Sequence, residues 1–260
     1  MSPENSNRID ILARLPELNR NAFEVVDHYK NLEILGFKVP TPYFNARLHV
    51  GRAISIMREL SVGEKVIDEF YKRWNSKHGH GAGKGSPAEI EERVKRLIED
   101  MYPKVDAISP LGIHQLMTLN GIGIDCSGLV VNVLRGAFEL SGLIDIFNDS
   151  SYWGGQRPDT MKMGTEFLRK NSKEIGFQEV GRLDLVFTPG HVGIVLLNKQ
   201  TLTIVQSTPF AFPTPGIHHS SLKKDGDEPV FSFKPTFGRS WLELYKDGDL
   251  SFRRLKLLCN

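Results

Sequence analysis

The chain has 260 residues, 40% of them hydrophobic, which is enough for one large domain or two small ones with a packed core. Its 33 basic and 31 acidic residues give a net charge of +2, so the composition indicates no general attraction to nucleic acid or to an anionic membrane. The two cysteines, Cys126 and Cys259, are not expected to form a structural disulfide, which is compatible with a reducing compartment.

The sequence shows no targeting or membrane segment. No apolar stretch of signal-peptide length follows Met1, and no segment has the length of a membrane span. We therefore expect a cytoplasmic protein.

Residues 1–108 are predicted to form a mostly helical region that acts as a lid or cleft wall for a second domain, residues 109–260. Apolar residues recur at helical spacing in three segments, 18–31, 46–60 and 62–74. A fourth helix is predicted to begin at Ser86-Pro87-Ala88-Glu89, which combines an N-cap, a first-turn proline and a capping-box acid, and to run to about Met101.

A basic, glycine-rich loop covers residues 76–86. It does not match a phosphate-binding P-loop, because His78 and Gly85 stand where that motif requires glycine and a hydroxyl residue. His78 and His80 have no acid or cysteine nearby in the sequence, so solvated side chains are favoured over a metal pair. Lys84 could contact an anionic substrate, but we interpret it as a solvated surface lysine.

The segment Asp125-Cys126-Ser127-Gly128, followed by an apolar run, predicts a helix that begins at the cysteine. Unpaired N–H groups and the helix dipole stabilise a thiolate at such a position. Asp125 is predicted to cap the helix through its carboxylate. A free cysteine is more often a small buried hydrophobe, but the helix start favours a nucleophile here.

A base for this thiol is predicted on the strands that follow. Residues 183–188 and 191–197 are β-branched, apolar runs joined by Pro189-Gly190, and a third run covers 201–208. His191 is the first residue of the second strand, and Gln206, near the end of the third, could orient its imidazole. The alternative is that His191 is an ordinary sheet-edge histidine. Nucleophile, base and amide orienter in this order are typical of papain-like thiol hydrolases.

Four blocks in this order resemble the NlpC/P60 family of the papain-like superfamily: Gly123-Ile124-Asp125-Cys126-Ser127-Gly128-Leu129-Val130, Asp184-Leu185-Val186-Phe187, His191-Val192-Gly193-Ile194-Val195 and the polar Gln206. The resemblance implies an α+β fold in which a cysteine-bearing helix packs on a small antiparallel sheet. It also implies an amidase or endopeptidase, since many members cut bacterial cell-wall peptides. Asp125 and Ser127 would help to bind a substrate amino group.

The chain departs from the family pattern in several places. His114 stands in the register of a family tyrosine near the oxyanion position, and is either an oxyanion donor or an ordinary loop histidine. Leu183 replaces the usual glycine before the second block, and Gln206 stands where histidine is commoner. The string Tyr152-Trp153-Gly154-Gly155 lies after the cysteine and is interpreted as a chance aromatic turn.

The carboxyl-terminal segment is predicted to complete or edge the sheet. A proline- and aromatic-rich loop, residues 209–219, is expected to rim the cleft. Residues 237–245 and 250–258 alternate like strands, and His218 and His219 are fallback bases for His191.

The sequence therefore predicts a cysteine hydrolase that cleaves an amide or peptide bond through a thioester, with no metal or organic cofactor. The predicted roles are Cys126 as nucleophile, His191 as general base and acid, and Gln206 as orienter, with the Cys126 N–H and His114 at the oxyanion. Because a wall hydrolase must be exported, a recycled peptide or intracellular amide is the alternative substrate. Acyl transfer on the same scaffold, or a catalytically silent binding protein, stays open.

Overall fold

The computed structural model describes residues 11–44, 54, 55, 57–59, 61, 63–69, 72, 83–101, 109–209, 215–233 and 238–259. Their helices are α1 (Ile11–Lys30), α2 (Pro87–Met101), α3 (Pro110–Leu119), α4 (Cys126–Leu140), α5 (Ile144–Asn148), α6 (Thr165–Lys170) and α7 (Trp241–Lys246). Short 3-10 helices cover Ser150–Trp153, Phe177–Glu179 and Lys256–Leu258. None of the described helices is long and apolar enough to cross a membrane.

The strands form a small hairpin and one seven-stranded antiparallel sheet. The hairpin joins β1 (Leu32–Ile34) to β2 (Phe37–Val39). The sheet contains β3 (Ser172–Ile175), β4 (Leu185–Thr188), β5 (His191–Asn198), β6 (Thr201–Thr208), β7 (Gly216–Asp225), β8 (Glu228–Phe231) and β9 (Ser251–Leu255). Its order is β3-β9-β4-β5-β6-β7-β8. The α+β class is therefore confirmed.

Helix α4 packs on β5 and β6, and α1 packs on α4. The main core contains α1 residues such as Leu18 and Val26 together with α4 residues such as Leu129 and Val133, all fully buried. This core therefore joins residues from both sides of the predicted domain boundary at residue 108. The boundary itself stays a prediction. A second apolar cluster surrounds Trp241 and Phe252. It includes Val186, Val195 and Ile204, which alternate along β4, β5 and β6 with strand residues of the main core.

The predicted elements have mixed outcomes. Residues 18–31 lie almost entirely in α1, and α2 ends at Met101 as predicted. Helical residues occur at 54–55, 57–59, 64–69 and 72, and the rest of the two predicted helices at 46–60 and 62–74 lies largely outside the described residues. The strand prediction for 237–245 is wrong, because Ser240 and Glu243 form a capping box that starts α7.

Strand β9, from the carboxyl-terminal segment, is an internal strand of the sheet, since it lies between β3 and β4. A partly buried ion pair accompanies this pairing: Arg254 donates from Nε to Oδ1 and from Nη2 to Oδ2 of Asp184, each at 2.8 Å. Gly181 N–H also donates to this carboxylate, at 2.7 Å. Asp184 is fully buried, so it has a structural role at the start of β4.

Leu183, where the family pattern has glycine, adopts a left-handed backbone conformation with φ +63°. Its N–H donates to the Val195 carbonyl, and the Val195 N–H donates to the Asp184 carbonyl, both at 2.7 Å. Two residues of one strand thus face one residue of the other, which is a β-bulge that favours glycine at its first position. The buried Leu183 side chain occupies the core instead.

We predict that Leu183→Gly destabilises the fold less than Leu183→Ala does. Each variant loses the buried side chain, at about 2–5 kcal/mol, but glycine also relieves roughly 1–2 kcal/mol of left-handed strain. Leu185, fully buried in regular β4, is the matched control, and there glycine should be worse than alanine. Urea unfolding of the four variants checks the order, and the same order at both positions would contradict it.

Candidate active site

Cys126 is the first residue of α4, as predicted, and its residue is only 5% exposed. Asp125 is the N-cap, and its Oδ1 accepts the Gly128 N–H at 2.6 Å. The turn before the helix is made possible by Gly121, with φ +63°. The sequence therefore places a thiol at the start of a fifteen-residue helix.

Segments from the amino-terminal half bind the loop before the cysteine. The Ile124 N–H donates to the Pro42 carbonyl at 3.0 Å, and the Phe44 N–H donates to the Ile124 carbonyl at 3.2 Å. On the next residue, the Asp125 N–H donates to the Gly83 carbonyl at 3.0 Å. These backbone bonds fix the direction in which the chain enters α4.

The glycines of the cysteine motif allow this close approach. A Cβ on Gly128 would overlap the Gly83 carbonyl oxygen, and one on Gly123 would overlap the Pro42 carbonyl oxygen. Gly128 is therefore needed because another main-chain segment lies directly against the first turn of α4.

The structure brings the predicted triad residues to one place. His191 Nε2 and Gln206 Oε1 are 2.7 Å apart, and the backbone of Val192, the residue after His191, lies near enough to Cys126 to lower the pKa of its thiol. Gln206 is 1% exposed and its neighbour Ser207 donates to the Ile124 carbonyl at 2.8 Å. The β5 and β6 ends thus meet the cysteine loop.

The Gln206 contact is one hydrogen bond whose direction depends on the imidazole tautomer. With Oε1 of Gln206 as the acceptor, Nε2 of His191 carries the proton and Nδ1 of the neutral ring is an acceptor. The Gln206 Nε2 group is buried and has no hydrogen-bond partner among the described residues.

Burial shifts both titrating groups toward their neutral forms. It raises the pKa of the Cys126 thiol, with the Asp125 carboxylate adding to the rise, while the Val192 and Ser127 N–H groups and the Lys84 charge lower it. Burial also lowers the pKa of His191, against smaller raising effects of Gln206 and Asp125. Desolvation is thus the largest influence on the thiol pKa, and it opposes the thiolate that the helix start favours.

Lys84 is the residue of the site whose position the sequence interpretation missed. It is 8% exposed, so its interpretation as a solvated lysine is wrong. Its Nζ donates to Asp125 Oδ1 at 2.9 Å, to Ser127 Oγ and to the Met163 carbonyl at 3.4 Å. The small residues on both sides of Lys84 are the one sequence sign of close packing. The histidines of the same loop, His78 and His80, lie outside the described residues.

Asp125 and Ser127, predicted to bind a substrate amine, are hydrogen-bonded to each other and to Lys84 through their side chains. Ser127 Oγ donates to Asp125 Oδ1 at 3.1 Å, and both side chains accept from Lys84. Their substrate role stays a prediction.

His114 lies in the middle of α3 rather than in a loop, and burial lowers its pKa. Its carbonyl accepts from the Thr118 hydroxyl at 2.9 Å, and its oxyanion role stays a prediction. The loop prediction is wrong for residues 216–219, which belong to β7. Of the fallback bases there, His218 pairs with Gln206 across β6 and β7, whereas His219 pairs with Val205 and is exposed.

The Tyr152-Trp153-Gly154-Gly155 string is a core turn. Trp153 is buried and donates from Nε1 to the Phe147 carbonyl at 2.7 Å. A cleft of about 860 Å³ lies between this turn and β3, lined by residues such as Lys173 and Arg253, away from Cys126. It carries no part of the predicted chemistry.

No protein-family model matches the chain, and no curated protein matches it either. The resemblance to the NlpC/P60 family therefore rests on the four sequence blocks and stays a prediction.

We predict that Gly128→Ala separates the Gly83 segment from α4 and destabilises the fold by about 1–3 kcal/mol, as overpacking does. Gly164→Ala is the control, because a Cβ there meets no atom within 4 Å and the φ is negative. Chemical unfolding measures both. Equal stability of the two variants would contradict the close approach.

We predict that Cys126 has an alkylation pKa above the roughly 8.5 of an ordinary thiol, because burial disfavours the thiolate. Labelling by iodoacetamide should therefore be slow at neutral pH and rise only in alkaline solution. The measurement uses the Cys259→Ser variant, since Cys259 is exposed. Rapid labelling that persists below pH ~7 would instead show a thiolate–imidazolium pair.

Proposed function

We propose that the protein is a cysteine hydrolase that cleaves an amide or peptide bond through a thioester. The observation that carries this proposal is the meeting of three groups: the Cys126 thiol at the start of α4, the β5 end beside it, and a His191 ring bonded to Gln206. These are the roles of a nucleophile, a base and an orienter. The papain-like NlpC/P60 assignment belongs to the same proposal.

The raised pKa of the Cys126 thiol and the lowered pKa of His191 both favour a neutral pair, so we infer that proton transfer accompanies attack. His191 Nδ1 takes the thiol proton as the Cys126 sulfur forms its bond to the substrate carbonyl carbon. The imidazolium then gives that proton to the leaving amine as the C–N bond breaks, which leaves a thioester. Water attacks the thioester with His191 as base again, and the acid and the free thiol are released.

Gln206 has a defined task in this cycle. Its Oε1 holds the Nε2–H, so Nδ1 stays the proton acceptor and the ring keeps one orientation. An amide carries no charge and so does not stabilise the imidazolium as a carboxylate would. We infer that Gln206 contributes orientation, and that the N–H of Cys126 at the helix start, together with His114, serves the oxyanion.

The substrate class is a peptide or other amide, including a cell-wall-type peptide. Acyl transfer follows if an amine enters in place of water at the thioester. A panel of peptidyl p-nitroanilides, each with a free or an acetylated amino terminus, covers the amide class and reports release of nitroaniline.

We predict that Cys126→Ser and His191→Ala abolish nitroaniline release, and that Gln206→Ala lowers kcat while KM changes little. General acid–base catalysis contributes roughly 10²–10⁴-fold, which sets the expected loss for His191→Ala. Cys259→Ser is the matched control and should keep full activity, since Cys259 is the other free thiol and is exposed.

Mass spectrometry of the quenched reaction should show the acyl group on Cys126. Turnover that survives Cys126→Ser would contradict the proposal. Formation of the thioester with release only on addition of a second amine would assign an acyltransferase, and a protein that forms no acyl adduct with any of the panel would be the silent scaffold.

A further inference from the structure

Lys84 presents an ammonium group directly to the cysteine motif. The group has three N–H donors, and three acceptors surround it: Asp125 Oδ1, Ser127 Oγ and the Met163 carbonyl. The side chain is 9% exposed and that of Asp125 is 13% exposed, so the ion pair is largely shielded from water. Each donor of the ammonium is therefore matched inside the protein.

The main chain around Lys84 is fixed at three successive carbonyls. The Gly83 carbonyl accepts the Asp125 N–H, the Lys84 carbonyl accepts Asn132 Nδ2 at 2.7 Å, and the Gly85 carbonyl accepts the Tyr29 hydroxyl at 2.8 Å. Asn132 belongs to α4 and Tyr29 to α1. This arrangement holds the ammonium in one position relative to the thiol.

The two charges act on Cys126 with opposite sign. The Asp125 carboxylate raises the pKa of the thiol and the Lys84 ammonium lowers it. A shielded carboxylate without its partner would oppose any negative charge that develops on the neighbouring sulfur. The sulfur gains such charge when its proton leaves during attack.

We propose that Lys84 is a positioning residue for the nucleophile: its ammonium neutralises the Asp125 carboxylate, and so permits negative charge to develop on the Cys126 sulfur. This inference rests on the proposed function for the role of the thiol as nucleophile. The amino-terminal half thereby contributes a charge to the site on α4. Asp125 can then cap the helix without suppressing the thiol.

The test is the pH profile of Cys126 alkylation by iodoacetamide, which needs no substrate and therefore stands apart from the hydrolase test. All variants carry Cys259→Ser. Lys84→Met removes the ammonium and keeps the length of the side chain. It should raise the pKa of the Cys126 thiol, and at a pH below that pKa each rise of one pH unit in the pKa should slow labelling about tenfold. Lys170→Met is the control, because this lysine pairs with Glu166 on the exposed face of α6.

Asp125→Asn tests the opposite sign. Asparagine can still cap the helix, but it leaves the ammonium unopposed, so the thiol pKa should fall. The double variant Lys84→Met/Asp125→Asn should return the profile close to that of the parent. A variant that does not fold cooperatively is set aside; if Lys84→Met is lost in this way, the alkylammonium rescue of Lys84→Ala, described below, decides instead.

A purely structural role of Lys84 gives a different result. Loss of packing would expose the thiol, so both single variants would lower its pKa toward the ordinary value. The double variant would lower the thiol pKa further instead of restoring it. That outcome, or an unchanged profile in Lys84→Met, overturns the proposal. In Lys84→Ala, ethylammonium should restore the parent profile and tetramethylammonium, which has no N–H donor, should not.

Discussion

One carboxylate oxygen connects the parts of the molecule on which the site depends. Oδ1 of Asp125 accepts the Gly128 N–H at the first turn of α4, the Ser127 hydroxyl and the Lys84 ammonium. The first contact starts the helix, and the last attaches a distant segment of chain to it. A carboxylate at this point caps the helix but raises the pKa of the thiol one residue away. The Lys84 ammonium, which pairs with this carboxylate, lowers the same pKa.

The same attachment explains how the two halves of the chain cooperate. The described amino-terminal residues do not stand apart from the cysteine helix, since α1 packs along α4 and the Pro42 and Gly83 carbonyls bind the loop before it. Close main-chain packing requires Gly123 and Gly128 at the contacts. Gly123 and Gly128 are thus glycines because a neighbouring chain segment packs against them, and not because the turn is flexible. We infer that the thiol reaches its position only when both halves are folded.

The sequence predicted the elements whose signals are local. The helix start at Cys126, the Pro189-Gly190 turn and the His191–Gln206 contact all follow from periodicity, capping residues and strand spacing. It did not predict what depends on distant contacts. Apart from its small neighbours, Lys84 has no local sign of burial; the raised pKa of the Cys126 thiol comes mainly from desolvation in the folded core; and the helix at Trp241 has an alternation that also fits a strand. Tertiary packing decided each of these.

A neutral, buried thiol has a consequence for the chemistry of oxidation. Peroxides and disulfides react with the thiolate, and reaction rates follow both thiolate fraction and exposure. Burial covers the Cys126 thiol and raises its pKa, whereas Cys259 is exposed. We therefore expect an oxidant to react with Cys259 first. The desolvation that opposes the Cys126 thiolate would also protect this thiol from oxidation.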